Sequence, residues 1–256
     1  MRLLMYAAIA VTVISCNQKP SSSAVTAVPD ITAENLKGKV QQVETNTYLI
    51  DSATGQKGKL ESTNVEKYDD SGYTVYYSTY TAQDSVTMLT TYEHDANGYL
   101  TTETTTKNGK PSSSMKITVD NTGKYTAAVS YDSTGKQDTY YDSIASNNYG
   151  EVLSGRGHHT DSSLKMTFIN NFDSVYYVGG ESKDSLGKLT YSSDVKLNDK
   201  KDPQQMDETT VTKDSSTKKT TVYTYNTSDN NGNWILQTIT ENGKPKKIVE
   251  RSITYN

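Results

Sequence analysis

Asp95-Ala96-Asn97-Gly98, Asn108-Gly109-Lys110, Asn121-Thr122-Gly123-Lys124 and Asp132-Ser133-Thr134-Gly135-Lys136 cut the chain between 95 and 136 into short, equal pieces. Asp or Asn early in such a turn bonds to its own backbone, and the glycine near its end takes the positive φ that a hairpin needs. The glycines at 98, 109, 123, 135 and 150 recur about every 11–15 residues, the length of one strand plus one turn. That spacing specifies an antiparallel meander. The punctuation continues outward at Asp69-Asp70-Ser71-Gly72, Asp184-Ser185-Leu186-Gly187-Lys188, Asn230-Asn231-Gly232 and Asn242-Gly243-Lys244. Between the turns lie period-two segments such as Tyr73-Val75-Tyr77, Met115-Ile117-Val119, Ala127-Val129-Tyr131, Leu164-Met166-Phe168, Thr221-Tyr223-Tyr225 and Val249-Arg251-Ile253-Tyr255. No amphipathic helix pattern follows residue 36, so the mature domain reads as all-β. Asn97-Gly98 and Asn108-Gly109-Lys110-Pro111 return as Asn231-Gly232 and Asn242-Gly243-Lys244-Pro245, so part of the architecture occurs twice.

Composition limits how such a meander can pack. The hydrophobic class is 33% of 256 residues, and Leu, Ile, Val and Phe together are only about 17%, where ordinary domains carry roughly 45–50% apolar residues. The formal net charge of −4 is too small for the self-repulsion that accompanies compositional disorder. Against 2 Phe and 1 Trp the chain has 20 Tyr, a residue that favours strands and keeps its hydroxyl wet while its ring packs. A compact helical protein, a polytopic membrane protein and a conventional nucleic-acid binder are excluded, the last two because the mature chain has no long apolar span and no basic field. The expected fold is a long, twisted antiparallel β-meander of hairpin repeats, able to curl into an open barrel or wrap, with Tyr and Thr lattices in place of a thick Leu/Ile core.

The N-terminus carries an address. Residues 1–15 place Arg2 before an apolar run from Leu3 to Ile14, too short to span a bilayer and laid out as a signal peptide. Val13-Ile14-Ser15-Cys16 resembles a bacterial lipobox, and Cys16 is the only cysteine. Lipidation there implies permanent anchoring, since several acyl chains at ~0.8 kcal/mol per buried methylene exceed what one chain supplies. Residues 16–35, with Asn17-Gln18-Lys19-Pro20-Ser21-Ser22-Ser23 at their start, read as a flexible tether, and 36–256 as the repetitive β domain. No acidic run follows Cys16, which favours an outer membrane of a Gram-negative envelope with the protein facing the periplasm.

Tyr68-Asp69-Asp70-Ser71-Gly72-Tyr73, Tyr131-Asp132-Ser133-Thr134-Gly135-Lys136 and Tyr92-Glu93-His94-Asp95-Ala96-Asn97-Gly98-Tyr99 resemble the Tyr-Asp-x-x-Gly units of YD-repeat (Rhs-like) proteins. The start Leu36-Lys37-Gly38-Lys39-Val40 and the ending Asn231-Gly232-Asn233-Trp234 to Tyr255 are similar to those of small envelope lipoproteins with such repeats, while 151–183 and 198–220 match poorly. The resemblance implies a repetitive antiparallel sheet and an envelope location. It carries over no catalytic residue.

Reactive constellations are sparse. With one cysteine there is no thiolate metal site or redox pair. His158 and His159, with Asp161, are the one place where histidines meet, but neighbours on a strand point to opposite faces and only a loop could converge them. Glu93, Asp95, Asn97 and Gly98 match early positions of an EF-hand loop, yet Thr104 stands where the bidentate ligand belongs, so Asp95–Gly98 reads as a hairpin turn. No nucleophile elbow or phosphate loop is present, and paired carboxylates such as Asp69-Asp70 sit in turns unsuited to raised pKa values. The expectation is a non-enzymatic envelope lipoprotein without cofactor or metal, presenting a Tyr/Thr-rich sheet as a scaffold. Its partners are the membrane through Cys16 and an envelope glycan or protein, not nucleic acid. The alternative is a carbohydrate- or peptidoglycan-binding module using Tyr73, Tyr76, Tyr77 and Tyr80, whose rings could stack on sugars. Labelled palmitate should enter the wild-type protein in cells and be absent from Cys16→Ser; label in that variant, or secretion of the wild type, refutes lipidation at this position.

Overall fold

The computed structural model describes residues 27–256 apart from 83–84 and 148–150; the signal peptide and Cys16 lie outside the described residues. After one helical turn, α1 (Asp30–Ala33), come sixteen strands: β1 (Val40–Ile50), β2 (Lys57–Tyr68), β3 (Thr74–Tyr80), β4 (Val86–His94), β5 (Leu100–Lys107), β6 (Lys110–Val119), β7 (Tyr125–Tyr131), β8 (Gln137–Ser146), β9 (Val152–His158), β10 (Leu164–Asp173), β11 (Tyr176–Asp184), β12 (Leu189–Leu197), β13 (Pro203–Val211), β14 (Ser216–Ser228), β15 (Trp234–Glu241) and β16 (Lys244–Tyr255). Each strand pairs with its sequence neighbours, and β1 pairs antiparallel with β16 from Val40↔Tyr255 to Leu49↔Lys247. The all-β meander is thus a closed barrel, not an open one, and closure removes both sheet edges.

The turns work as their sequences indicate. At Asp95 the backbone N–H donates to the Tyr99 carbonyl (2.9 Å), Gly98 N–H donates back to the Asp95 carbonyl (3.0 Å), and the carboxylate accepts from the N–H groups of Asn97 and Tyr99 at 2.8 and 2.9 Å. The same set recurs at Asp69, Asp120, Asp132, Asp184, Asn198 and Asp229. The two hairpins related by the internal repeat, β5–β6 and β15–β16, both turn through Asn-Gly with φ of 49° and 72° at Asn108-Gly109 and 49° and 76° at Asn242-Gly243. Positive φ at both central residues matches the strand twist, which is why Asn-Gly is used there.

The registers define two faces. Val43 faces Glu66, Glu66 faces Tyr77, Tyr77 faces Thr90 and Thr90 faces Thr105; the face continues through Met115, Ala128, Tyr141, Gly157, Met166, Phe168, Val195, Thr221, Gln237 and Val249. This is the inner face. Thr90, Thr105, Met115, Ala128, Tyr141, Phe168, Val195, Thr221, Gln237 and Val249 are all buried on it, so side chains fill much of the interior. Its densest part joins Leu100, Met115, Tyr125, Ala128, Tyr141, Val152 and Phe168. The opposite face carries Glu44, Lys67, Glu93, Lys116, Asp142, Arg156, Lys183, Asp194, Asp207, Lys218 and Glu250. Among the described residues these charges fall on eleven of the sixteen strands.

Residues 27–35, the end of the segment read as a tether, are bonded into the barrel. Ala27 N–H donates to Asn97 O (2.7 Å) in the β4–β5 turn and Ile31 N–H to Gly72 O (3.2 Å) in the β2–β3 turn. The Asn35 amide reaches Lys200 O (2.7 Å) and the Asp202 carboxylate (2.8 Å) in the β12–β13 turn. The β4–β5 and β12–β13 turns lie eight strands apart on a sixteen-strand ring, on opposite sides of it. Eight residues reach at most about 28 Å, so the segment crosses this mouth as a strap. Composition indicated freedom because the strap's anchors, Ile31 and Leu36, are too few to show a period; they pack on Val40, Val43, Tyr68, Ile253 and Tyr255.

Around the same mouth the turn glycines seat neighbouring rings. A Cβ on Gly98 would overlap the Tyr73 ring, and one on Gly123 the Tyr99 hydroxyl, whereas nothing lies within 4 Å of the Cβ position on Gly109. Gly109→Ala should therefore destabilise by about 1–2 kcal/mol, the strain of its φ alone, and Gly98→Ala by roughly 1–3 kcal/mol more from overpacking. Equal losses in denaturant melts of the two variants would contradict the ring-on-glycine packing.

Candidate functional site

The strapped mouth gathers three ionisable groups, Glu34, Glu66 and Arg251. Strap residue Glu34 accepts a hydrogen bond from the Tyr68 hydroxyl (2.8 Å), and Glu66 on β2 accepts from the Thr74 hydroxyl (3.1 Å). Arg251 on β16 completes the group, its guanidinium carbon 3.6 Å from the centre of the Trp234 ring. Tyr225 lies beside the same indole at 5.6 Å. Arg251 Nε is buried without a hydrogen-bond partner. Among the described residues the guanidinium is held by the indole face rather than by a hydrogen bond.

Side-chain hydrogen bonds from Asn233 and Tyr255 fix this arrangement. Asn233, at the end of the β14–β15 turn, accepts from Lys37 N–H (2.7 Å) and donates to Lys37 O (2.9 Å) and the Tyr255 hydroxyl (2.7 Å). The Tyr255 hydroxyl in turn donates to Asp229. Between strap, turn and strand lies a cleft of 390 Å³ lined by Glu34, Lys37, Lys200, Asn231, Trp234 and Arg251 among others.

Desolvation by the surrounding wall, and then the charge of Glu66, hold the Glu34 carboxyl well above the usual carboxylate range; the Tyr68 hydroxyl and Arg251 pull the other way. Glu66 is raised for the same first reason. Water in the cleft reaches Glu34, which is exposed as a residue, and offsets part of that penalty. Elsewhere on the inner face Glu103 is raised by desolvation alone. By contrast the exposed turn carboxylates Asp51, Asp120 and Asp132 are lowered by the hydrogen bonds they accept.

The tyrosines singled out from the sequence do not share one surface. Tyr73 is buried, and its hydroxyl donates to Ala27 O of the strap. Tyr77 faces inward, opposite Glu66 and Thr90. Only Tyr76 and Tyr80 stand together on the outer face, flanking Ser78, with hydroxyls 3.4 Å apart and Lys67 Nζ 5.1 Å from the Tyr76 ring centre. His158 ends β9, with Nε2 3.3 Å from the Asp142 carboxylate and Nδ1 3.3 Å from Ser162 O, while His159 opens the next turn. Among the described residues no three His, Cys, Asp or Glu converge as a metal site, and no helix is long and apolar enough to cross a membrane. Sequence reasoning passed over Glu34, Glu66, Trp234 and Arg251. One signal was available, the arginine in the apolar phase of Val249-Arg251-Ile253-Tyr255.

No protein-family model and no curated protein matches the chain. A porin-like protein from Bacteroides uniformis is similar in structure, with a TM-score of 0.54 at 15% identity over 85% of this chain and 98% of that one. That is a likeness of fold alone. A TcdB2-TccC3-Cdc42 structure and the Photorhabdus luminescens Tc holotoxin pore align at 11% identity over 91% and 92% of this chain and 14% of theirs, with TM-scores of 0.30 and 0.23, too low to carry an argument.

A carboxyl raised in the folded state contributes stability that is full below its unfolded pKa and is lost as pH rises through the folded value. Glu34 and Glu66 are of this kind, so the melting temperature of the wild type should fall between pH 5 and pH 8. Glu34→Gln, which keeps an acceptor for Tyr68 and removes one charge, should flatten that fall. Parallel pH profiles for the two proteins would refute the assignment.

Proposed function

We propose that the chain is a non-enzymatic envelope lipoprotein, held through a lipid on Cys16, whose barrel stands in water beside the membrane and offers its outer face as a scaffold or interaction surface. The observation that carries this reading is the polarity of that face. Transmembrane barrels present an apolar band to lipid, and Lys or Arg at the bilayer midplane costs roughly 2–4 kcal/mol each. Here Lys116, Asp142, Arg156, Asp194, Asp207 and Glu250 lie near the middle of their strands and point outward, while Met115, Tyr141, Phe168 and Val249 point inward. Such a barrel needs an anchor to stay at a membrane, and a lipid on Cys16 supplies it. The Tyr-Asp-x-x-Gly units add the family kinship, YD-repeat envelope proteins, and a periplasm-facing outer-membrane position agrees with the unacidic segment after Cys16.

A second reading, a carbohydrate- or peptidoglycan-binding module, is favoured by one observation, the half-buried Tyr76–Tyr80 pair with Lys67 beside it. Fractionation addresses the first reading directly. Cys16→Ser, expressed in a Gram-negative host, should leave the membrane fraction on carbonate washing, and purified protein should open no conductance in planar bilayers. Retention of the variant in the washed membrane, or discrete channel currents, would show an inserted barrel and overturn the proposal.

A further inference from the structure

We propose that the cleft at the strapped mouth is a binding site for a small carboxylate ligand, with Arg251 as its recognition residue. The argument begins with the donors. A guanidinium offers five N–H donors in a planar fork that matches a carboxylate, and an arginine set inside a fold ordinarily has them bonded. Arg251 instead sits over the Trp234 ring, its guanidinium carbon 3.6 Å from the ring centre and its Nε buried and without a partner among the described residues. The indole, with Tyr225 packed beside it, holds the guanidinium without accepting a hydrogen bond from it.

The walls set the charge and size. Lys37, Lys200 and Arg251 line the cleft with Glu34 and Asp202, and because burial disfavours ionisation of Glu34 cations are in excess there, in a chain with a net charge of −4. That excess attracts an anion, and the planar fork of Arg251 matches a planar carboxylate. Asp202 is already engaged by Asn35, and Lys37 Nζ donates to Asn35 Oδ1 at 2.5 Å, which leaves the lysine's other donors for the cleft. A volume of 390 Å³ falls within the ~300–1,000 Å³ of small-ligand sites and admits a single sugar acid or the end of a short peptide. The site does not depend on how the barrel is attached to a membrane, so its failure would leave the lipoprotein reading untouched.

Trp234 is the only tryptophan in the chain, so its emission reports on this cleft alone. Galacturonate and acetyl-alanyl-alanine represent the two sources of a carboxylate, a sugar acid and a peptide terminus; galactose and inorganic phosphate are the comparisons. The expected result is a saturable change in emission with at least one of the two carboxylates, none with galactose over the same range, and at least tenfold weaker binding in Arg251→Lys, whose ammonium cannot form the bidentate contact. Which carboxylate saturates at lower concentration identifies the source. Absence of a saturable change with both carboxylates, equal binding of galactose, tighter binding of phosphate, or unchanged affinity in Arg251→Lys overturns the proposal. Circular dichroism and the melting temperature establish that the variant is folded. If it is not, the double variant Lys37→Ala/Lys200→Ala, at exposed positions on the rim, decides: about a threefold or greater loss is expected, and unchanged affinity counts against the site.

Discussion

The pairing of β1 with β16 is the contact on which the rest of the molecule depends. It joins the two ends of a domain more than 200 residues long through a register running from Val40↔Tyr255 to Leu49↔Lys247. A meander of this length without it would expose two edges of unpaired N–H and C=O groups. With it, period-two alternation becomes a distinction between inside and outside, and every strand inherits its orientation from the ring. The strap belongs to the same closure. Leu36 and Ile31 pack where β1 and β16 meet, on Val40, Val43, Ile253 and Tyr255, and Asn256 N–H donates to Lys39 O at 2.9 Å. Pairing at so great a sequence separation is slow to form, and the strap's bonds to turns on both sides of the mouth hold β1 where β16 must find it.

Closure also explains how so polar a chain acquires a core. A round sixteen-stranded barrel is wide enough to leave an aqueous channel, yet inner residues on strands all around this ring are buried. Small inner residues leave room for large ones nearby: the ring of Phe168 occupies the space beside Gly155, and Met166 and Tyr141 that beside Gly157. Some hydroxyls inside bond to each other, as Thr90 to Thr105 at 3.0 Å, which meets part of the demand that buried polar groups find partners; the Thr221 hydroxyl has none among the described residues. Sixteen strands close the ring, and the buried apolar side chains Met115, Phe168 and Val249 lie on its inner face.

Much of this was legible in the sequence, and the limits were physical. The turns are local: Asp or Asn with a downstream Gly closes five residues by hydrogen bonds among themselves, so Asp95–Tyr99 and Asp229–Asn233 could be read directly. The duplicated Asn-Gly hairpins at 108–109 and 242–243 kept their geometry for the same reason. Closure was not legible, because the register between Val43 and Ile253 leaves no local trace. Nor was the strap, whose Glu34 and Asn35 look like linker residues until the opposite turns are brought to them. A scarcity of large apolar residues suggested a twisted meander, curling on itself, with little dry interior; the closed ring places Met115, Tyr141, Phe168 and Val249 together on its inner face.

Arg251 is the point at which closure and chemistry meet. Alternation puts position 251 on the inner face, between Val249 and Ile253, and moving a charge there from water costs several kcal/mol unless partners compensate. The compensation present is indirect: an indole face, two carboxyls whose own ionisation is disfavoured by the wall, and the Tyr68 and Tyr225 phenols. A methionine or leucine would satisfy the packing at lower cost, since apolar replacement of buried ionic groups is often neutral or stabilising. The arrangement that holds the guanidinium is also more elaborate than packing requires, as it recruits the strap through Glu34, β2 through Glu66 and β15 through Trp234. What stability alone would remove, this mouth keeps, over the Trp234 ring and with Nε unpartnered among the described residues, and that is why Arg251 carries the proposal of a ligand here.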